Sequence, residues 1–115
     1  MPLATREIAW IKAARKDFEE FPQAAQIEIR RALTVAAEGA KADIAKPLLG
    51  FGSGVFEVAL KHRGDAHRAV YAVQIGDAVW VIHAFQKKSK TGIKTPKPEL
   101  DLIEQRLKRL REQLR

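Results

Sequence analysis

The sequence predicts an α+β domain in which two N-terminal helices pack on a small antiparallel meander sheet and a C-terminal helix follows. Apolar residues recur at helical spacing in the first third of the chain and again after Pro98. Between these segments, apolar and polar residues alternate with a period of two, and Gly-Asp pairs separate the alternating runs. With 115 residues and 46% hydrophobic content, we expect residues 1–115 to form a single domain around one core.

The N-terminal third is predicted to contain a short strand and two helices. The segment Arg6–Ile11 can begin as a short strand. One helical face then follows at spacings of four, four and three residues, formed by Trp10, Ala14, Phe18 and Phe21. Pro22 suits the first turn of a second helix, and Gly39 can end that helix in the left-handed conformation. The apolar face of the second helix is formed by Ala25, Ile29, Leu33 and Ala36.

Three strands are predicted after the glycine-rich loop KPLLGFGSG. In VFEVALKHR the apolar face is formed by Phe56, Val58 and Leu60, and the other face by Glu57, Ala59, Lys61 and Arg63. The run AHRAVYAVQI is the second strand. The run AVWVIHAF is apolar on both faces and is therefore expected to be central and covered. Gly64–Asp65 and Gly76–Asp77 mark the two turns, and such short links favour antiparallel pairing.

The C-terminal segment from Pro98 to Arg115 is predicted to be a highly charged helix with a narrow apolar stripe. The stripe is formed by Leu100, Ile103, Leu107, Leu110 and Leu114. Two interpretations of the stripe remain open. It packs on or beside the sheet, or it is a surface that docks a partner.

Positive charge is concentrated in one third of the chain. The formal net charge is +7, and residues 61–97 contain eight Lys and Arg against two Asp and Glu. Concentrated positive charge suggests a surface for a polyanion, with RNA or DNA as the first candidates. The alternative is a solvated lysine loop that also meets an acidic protein partner.

Several functional classes lack support in the sequence. There is no cysteine, no P-loop, no G-x-G-x-x-G and no H-E-x-x-H motif. The histidines at 62, 67 and 83 have no carboxylate pair at ligand spacing, so neither a metal nor a small-molecule cofactor is expected. Ser53 lies in a glycine loop and Ser89 among lysines, which makes acyl chemistry improbable. No secretory signal or membrane-length apolar run is present, and we expect a soluble, cytoplasmic protein without membrane contact.

Strand parity predicts that several cations converge on one surface. Lys61 and Arg63 share a face of the first strand, and Arg68 stands near the start of the second. His83 and Lys87 share the parity of the third strand if that strand stays regular. Neighbouring strands place such side chains about 5 Å apart. This convergence of like charge is tolerable when an anion sits between the cations.

A phosphodiester of RNA fits this set of groups. An arginine can hold the phosphate at two points, and lysine or histidine can move protons to and from the 2′-oxygen and the leaving 5′-oxygen. Phe85 or Tyr71 can stack on a base, although core packing is the alternative for both. For His83, a buried neutral imidazole is the alternative to a catalytic one.

The runs HRAVYAV and GDAVWVIHAFQKKSKTGIKTPKPELDLIEQR resemble the phage-related HigB-like branch of the RelE/ParE toxin superfamily. The resemblance extends over nearly the whole chain and includes the N-terminal helical pair, KPL before a glycine loop and the FEV strand. It implies a compact fold with two N-terminal helices on an antiparallel sheet. It also implies the toxin of a type II toxin–antitoxin pair, which cleaves mRNA on the ribosome without a metal and is neutralised by a helix-turn-helix antitoxin protein.

The resemblance also assigns residues. The arginine of the family's YR-type motif falls at Arg68, although His67 stands where tyrosine is more usual. The family's other basic positions fall at Lys61, Lys87, Lys88 and Lys90. The first hypothesis is therefore a ribosome-dependent endoribonuclease whose catalytic residues are Arg68, Lys87, Lys61 and His83. Its RNA-binding residues are predicted to be Arg63, Lys88, Lys90, Lys94 and Phe85. Because some relatives poison DNA gyrase, the second hypothesis is a non-enzymatic toxin that binds gyrase, or a nucleic-acid-binding module.

Overall fold

The computed structural model describes residues 5–87 and 95–114. The strands in these ranges are β1 (Ile8–Trp10), β2 (Ala45–Pro47), β3 (Val55–His62), β4 (Asp65–Ala72) and β5 (Val79–Lys87). The helices are α1 (Lys12–Phe18), α2 (Gln23–Ala37) and α3 (Lys97–Gln113). Among the helices of the described part of the chain, none combines the length and apolar character needed to cross a bilayer.

The five strands form one mixed sheet in the order β1-β5-β4-β3-β2. β3, β4 and β5 form the antiparallel meander that the sequence predicts, and the α+β class is confirmed. Two short edge strands extend this meander, with β1 parallel to β5 and β2 antiparallel to β3. β5 therefore lies inside the sheet between two partners, as its two apolar faces require.

One face of the sheet is covered by α1 and α2. The buried residues between them and the sheet include Phe18 of α1, Ile29 and Leu33 of α2, and Val58 and Tyr71 of the strands. Ile29 and Leu33 are fully shielded from solvent, as the helical spacing predicts. This layer is the larger part of the core.

The opposite face is covered in part by α3. Ile103, Leu107 and Leu110 are buried against the sheet together with Val70 and Ile82. The interpretation of the stripe as a packing surface is therefore confirmed for its three central members. The C-terminal member differs, because Leu114 is 44% exposed.

The β3–β4 turn differs from the prediction in position. Arg63 and Gly64 have positive φ angles, 52° and 87°. Two successive left-handed residues are what a two-residue hairpin turn requires, because its twist then matches that of the strands. β3 therefore ends at His62, and the prediction that Arg63 shares a strand face with Lys61 is wrong. Arg63 is an exposed turn residue at the rim of the sheet.

A bulge in β5 sets which side chains face α3. The cross-strand partners are Val70 with His83 and Tyr71 with Val81, so Ile82 is the extra residue. Ile82 packs in the layer under α3 and His83 bonds to α3, so these two consecutive residues both face that helix. Beyond the bulge, β5 is regular as far as Lys87. The bulge therefore adds Ile82 to the face that His83 shares with Lys87 by parity.

Substituting Leu107 with alanine tests the docking of α3. Leu107 is 1% exposed, and Leu107→Ala is expected to lower the free energy of unfolding by about 2–5 kcal/mol through lost burial and a residual cavity. Leu102 lies on the same helix but is 40% exposed, and Leu102→Ala is expected to cost less than about 1 kcal/mol. Denaturant titration measures both values. Equal losses in the two variants would contradict the packing described here.

Candidate functional site

Three cross-strand rows form the part of the sheet surface that lies beside α3. The rows are Lys61–Ala66–Lys87, Ala59–Arg68–Phe85 and Glu57–Val70–His83. We call this surface the cationic face. Because alternate residues of a strand share a face, the register confirms that Lys61, Arg68, His83 and Lys87 lie on one surface. The small side chains of Ala59 and Ala66 stand among the longer cations.

Arg68 forms an ion pair at the centre of the cationic face. Its Nη1 donates to Oε1 of Glu57 at 2.7 Å, and the two side chains are 10% and 12% exposed. The other carboxylate oxygen, Oε2, accepts a hydrogen bond of 2.8 Å from the hydroxyl of Thr95, just before α3. The pair is therefore held between two strands and the start of a helix, and its geometry is well defined.

Glu57 is a site residue that the sequence interpretation missed. Parity places Glu57 on the same strand face as Lys61, but an anion-binding surface predicted from cations alone leaves it out. The signal was present, since Glu57 is the one acidic residue in the strand VFEVALKH. A carboxylate in the middle of a cationic face is the feature that distinguishes this surface from a simple polyanion patch.

His83 connects β5 to α3 through both ring nitrogens. Arg106 Nη1 lies 2.7 Å from Nδ1, and Glu99 Oε1 lies 2.6 Å from Nε2. Because a guanidinium group only donates, Nδ1 is the acceptor, and the imidazole proton is on Nε2, where it is donated to Glu99. His83 is 2% exposed, and burial lowers its pKa, in the same direction as the charge of Arg106. This geometry matches the alternative of a buried neutral imidazole.

The two aromatic residues considered for base stacking are both buried. Phe85 is 8% exposed and its ring centroid lies 5.4 Å from that of His83. Tyr71 lies on the opposite face, stacked on Phe56 with a centroid distance of 5.4 Å, and burial raises its pKa to about 12. Both residues therefore match the alternative of core packing. For Phe85 to stack on a base, its ring would have to move out of its packed position on the sheet.

The predicted site residues therefore fall into four groups. Lys61, which is exposed, and Lys87, which is half-buried, stand at the two ends of the row next to that of Arg68. His83 lies on the same face but is enclosed under α3, and Arg63 lies at the rim. The remaining predicted RNA-binding residues, Lys88, Lys90 and Lys94, lie outside the described residues.

The cationic face carries groups that can bind an anion, Arg68 and the neighbouring lysines, and one group that can accept a proton, Glu57. An arginine can bind two oxygens of a phosphate, and adjacent lysines can donate protons or neutralise charge. The carboxylate of Glu57 can accept a proton once the guanidinium has moved to a phosphate. Among the described residues, no group of three His, Cys, Asp or Glu side chains could hold a metal ion.

Comparisons with known proteins agree on the fold. The model of the phage-derived Gp49-like protein family matches residues 16–108. A mutant of the E. coli toxin RelE in the free state superposes with a TM-score of 0.61 at 17% identity, over 92% of this chain and 98% of that one. The isolated E. coli RelE toxin gives 0.57 at 19% identity, over 76% and 87%. The toxin–antitoxin complex RelBE2 from Mycobacterium tuberculosis gives 0.51 at 16% identity, over 76% and 97%. No curated protein sequence matches the chain significantly.

The two buried histidines predict how stability depends on pH. Burial lowers the pKa of both His83 and His67, so just below pH 6.5 the unfolded chain binds protons that the folded chain does not. The free energy of unfolding is therefore expected to be highest above about pH 6.5 and to fall toward about pH 5, by at most about 1.4 kcal/mol per pH unit for each histidine. Denaturant titration across this range measures the slope. His83→Gln is expected to flatten it, and an unchanged slope in this variant would exclude His83 as a source.

Proposed function

Because the chain belongs to the phage-derived Gp49-like family, within the RelE/ParE toxin superfamily, we propose that it is the toxin of a type II toxin–antitoxin pair that cleaves mRNA on the ribosome without a metal. The observation that carries the nuclease proposal is the Arg68–Glu57 pair at the centre of the cationic face. A phosphate-binding cation and a proton acceptor in direct contact are the two groups that cleavage of RNA by its own 2′-hydroxyl requires.

The proposed reaction is an in-line displacement at phosphorus. Arg68 binds the scissile phosphate, and the carboxylate of Glu57, released from the ion pair, accepts the proton of the 2′-hydroxyl. The 2′-oxygen then bonds to phosphorus, and the bond from phosphorus to the 5′-oxygen breaks. Lys87 protonates the departing 5′-oxygen, which yields a 2′,3′-cyclic phosphate and a 5′-hydroxyl. Lys61, on the other side of Ala66, stabilises the charge that develops on the phosphate oxygens.

His83 is assigned a different role from the one first predicted. Its two ring nitrogens are engaged by Glu99 and Arg106. We therefore propose that His83 is a positioning residue that fixes α3, and with it Thr95, beside Glu57. Phe85 lies on the same surface and packs beside the His83 ring, with 5.4 Å between the ring centroids.

The remaining cations are proposed to hold the RNA backbone outside the reacting centre. Arg63 stands exposed at the rim, and Lys88, Lys90 and Lys94 continue the chain beyond Lys87. Each cation that neutralises a phosphate adds affinity in a salt-dependent way without reading sequence. The proposed partners are mRNA on the ribosome and a helix-turn-helix antitoxin protein. The complex from M. tuberculosis supports an antitoxin partner, since it contains a toxin of the same fold with its antitoxin.

Replacing Arg68 tests the phosphate-binding role. Arg68→Ala is expected to abolish growth arrest on expression and to reduce mRNA cleavage by about 10²-fold or more, since charge on the transition state loses its main partner. Mapping of mRNA 5′ ends after induction measures the cuts, and codon-phased ends are the expected wild-type result. DNA breaks with intact mRNA in the wild type would instead indicate a toxin that poisons gyrase.

The variant must also be shown to be folded, because removing one member of a buried ion pair leaves the other charge uncompensated and destabilises the protein. Arg68→Lys keeps the charge but loses the two-point geometry, and it is also expected to lose most cleavage. Thermal unfolding followed by circular dichroism identifies which variants are folded. Full toxicity in a folded Arg68→Ala or Arg68→Lys protein would contradict the assignment.

Replacing Glu57 tests the proposed base. Glu57→Gln keeps the shape and an acceptor for Arg68 but cannot take a proton, so cleavage is expected to fall by about 10²- to 10⁴-fold. RNA binding, measured on the same variant, is expected to be retained. Glu28→Gln is the matched control, since Glu28 is exposed on α2 and pairs with Arg31 at 2.9 Å. Unchanged cleavage by Glu57→Gln would leave the base assignment without support.

A further inference from the structure

A cavity lies on the face of the sheet opposite the cationic face, between the start of α2 and the β3–β4 turn. Its volume is about 420 Å³, which falls within the range of small-molecule sites. It is lined by residues 22–24 and by His62, Arg63, Asp65, His67 and Gln86. None of these residues belongs to the proposed reaction centre.

His67 is the unusual residue of this cavity. Its side chain is 1% exposed, and within the described residues neither ring nitrogen has a hydrogen-bond partner. Its ring packs edge-on against Phe21 at 5.0 Å and lies 6.1 Å from that of His62. Burial lowers the pKa of His67, so the ring is neutral and offers one donor and one acceptor. Two unsatisfied buried polar atoms cost stability, and their position in a cavity wall suggests that a ligand satisfies them.

The first turn of α2 contributes a second feature. Pro22 is the N-cap and provides no side-chain cap, and no acidic residue lies in the first turn. The leading N–H groups of a helix lack intrahelical partners and carry partial positive charge, which favours a phosphate at this end. Pro22 and the two residues after it line the cavity, so this end of the helix borders the space beside His67.

The polar groups of the cavity are mixed in sign. Arg63 is cationic, and Asp65 is anionic and accepts a hydrogen bond of 2.9 Å from Nε2 of Gln86. An inorganic anion would gain from Arg63 and the helix but would be repelled by Asp65. A nucleotide can bind to both Arg63 and Asp65, because its phosphate is anionic and its base edge carries amino and imino donors. Single-stranded RNA is commonly bound in this way, with bases stacked on imidazole or guanidinium planes and hydrogen-bonded along their edges.

We propose that this cavity binds one nucleotide of single-stranded RNA, with its phosphate at the first turn of α2 and Arg63 and its base edge against His67, Asp65 and Gln86. His62 provides an imidazole plane for stacking. The proposal deepens the proposed function and rests on it for the identity of the ligand as RNA. The β3–β4 turn joins the two faces of the sheet, since Lys61 and His62 are consecutive residues that point to opposite sides. A strand that passes Lys61 therefore reaches the cavity by crossing the rim at Arg63.

The experiment measures nucleotide binding to the full chain by NMR. Each of the four 5′-nucleoside monophosphates, and inorganic phosphate separately, is titrated into the isotope-labelled protein. At least one nucleotide is expected to shift the ring signals of His67 and the amide signals of residues 23–25, with an affinity about tenfold or more above that of inorganic phosphate. No shift at these positions at millimolar nucleotide, or equal affinity for phosphate alone, would overturn the proposal.

Two variants and a control sharpen the result. His67→Phe removes both ring nitrogens at similar size, so it is expected to lose the nucleotide preference while being as stable as the wild type or more stable. Arg63 also lines the cavity but is exposed, so Arg63→Gln disturbs the core less, and it is expected to weaken binding of every nucleotide. Arg31→Gln, an exposed arginine on α2 away from the cavity, is expected to leave binding unchanged. Wild-type affinity in both cavity variants would contradict the assignment.

The outcome is separable from that of the proposed function. Cleavage is scored by mRNA 5′ ends after induction, and nucleotide binding is scored on the purified protein. Codon-phased cuts without nucleotide binding would reject the cavity site and retain the nuclease. Nucleotide binding at the cavity without mRNA cuts would retain the site and reject the nuclease.

Discussion

The double hydrogen bond of His83 fixes the structure on which the candidate site depends. α3 buries only a narrow stripe against the sheet, and such a stripe alone permits the helix to slide or rotate. Arg106 and Glu99, two helical turns apart, both form hydrogen bonds with the imidazole of His83 and so oppose sliding and rotation of the helix. Glu99 follows Thr95 by four residues, so the same contact brings the Thr95 hydroxyl to Glu57. The order of dependence thus runs from the histidine to the helix, to Thr95, and finally to the Arg68–Glu57 pair.

Much of this arrangement was predictable, because period-two and helical spacing are properties of local sequence. The three helices, the meander, the cationic face and the central position of β5 all follow from periodicity. β2 does not, because it lies where the sequence predicts the start of a loop. The bulge at Ile82, which brings Ile82 onto the face of His83, is set by packing across the sheet and has no clear signal in sequence. Similarly, the position of the first turn was wrong because either Arg63 or Asp65 can stand beside Gly64, and strand twist selects the former.

The roles of individual side chains were less predictable than their faces. Parity shows which residues share a surface, but hydrogen bonds from other elements decide what each can do. The neutral state of His83 follows from its burial, which lowers its pKa, and from the charge of Arg106 on α3, while Glu99 acts in the opposite direction. The omission of Glu57 had a different cause. An anion-binding surface is predicted from its cations, although the same parity places Glu57 on the face of Arg68, where the two side chains can form an ion pair.

A glutamate at the centre of a cationic face has a physical explanation under the proposed function. Without RNA, Glu57 neutralises Arg68 and orients its guanidinium, which would otherwise stand buried and repelled by the neighbouring lysines. When a phosphate binds the arginine, the guanidinium exchanges one anionic partner for another and is not left buried without a counter-charge. The carboxylate then loses its ion pair, keeps its hydrogen bond from Thr95 and can accept a proton. Under this proposal, the Arg68–Glu57 ion pair neutralises both charges in the absence of RNA. The base becomes available only when a phosphate has replaced Glu57 as the partner of Arg68.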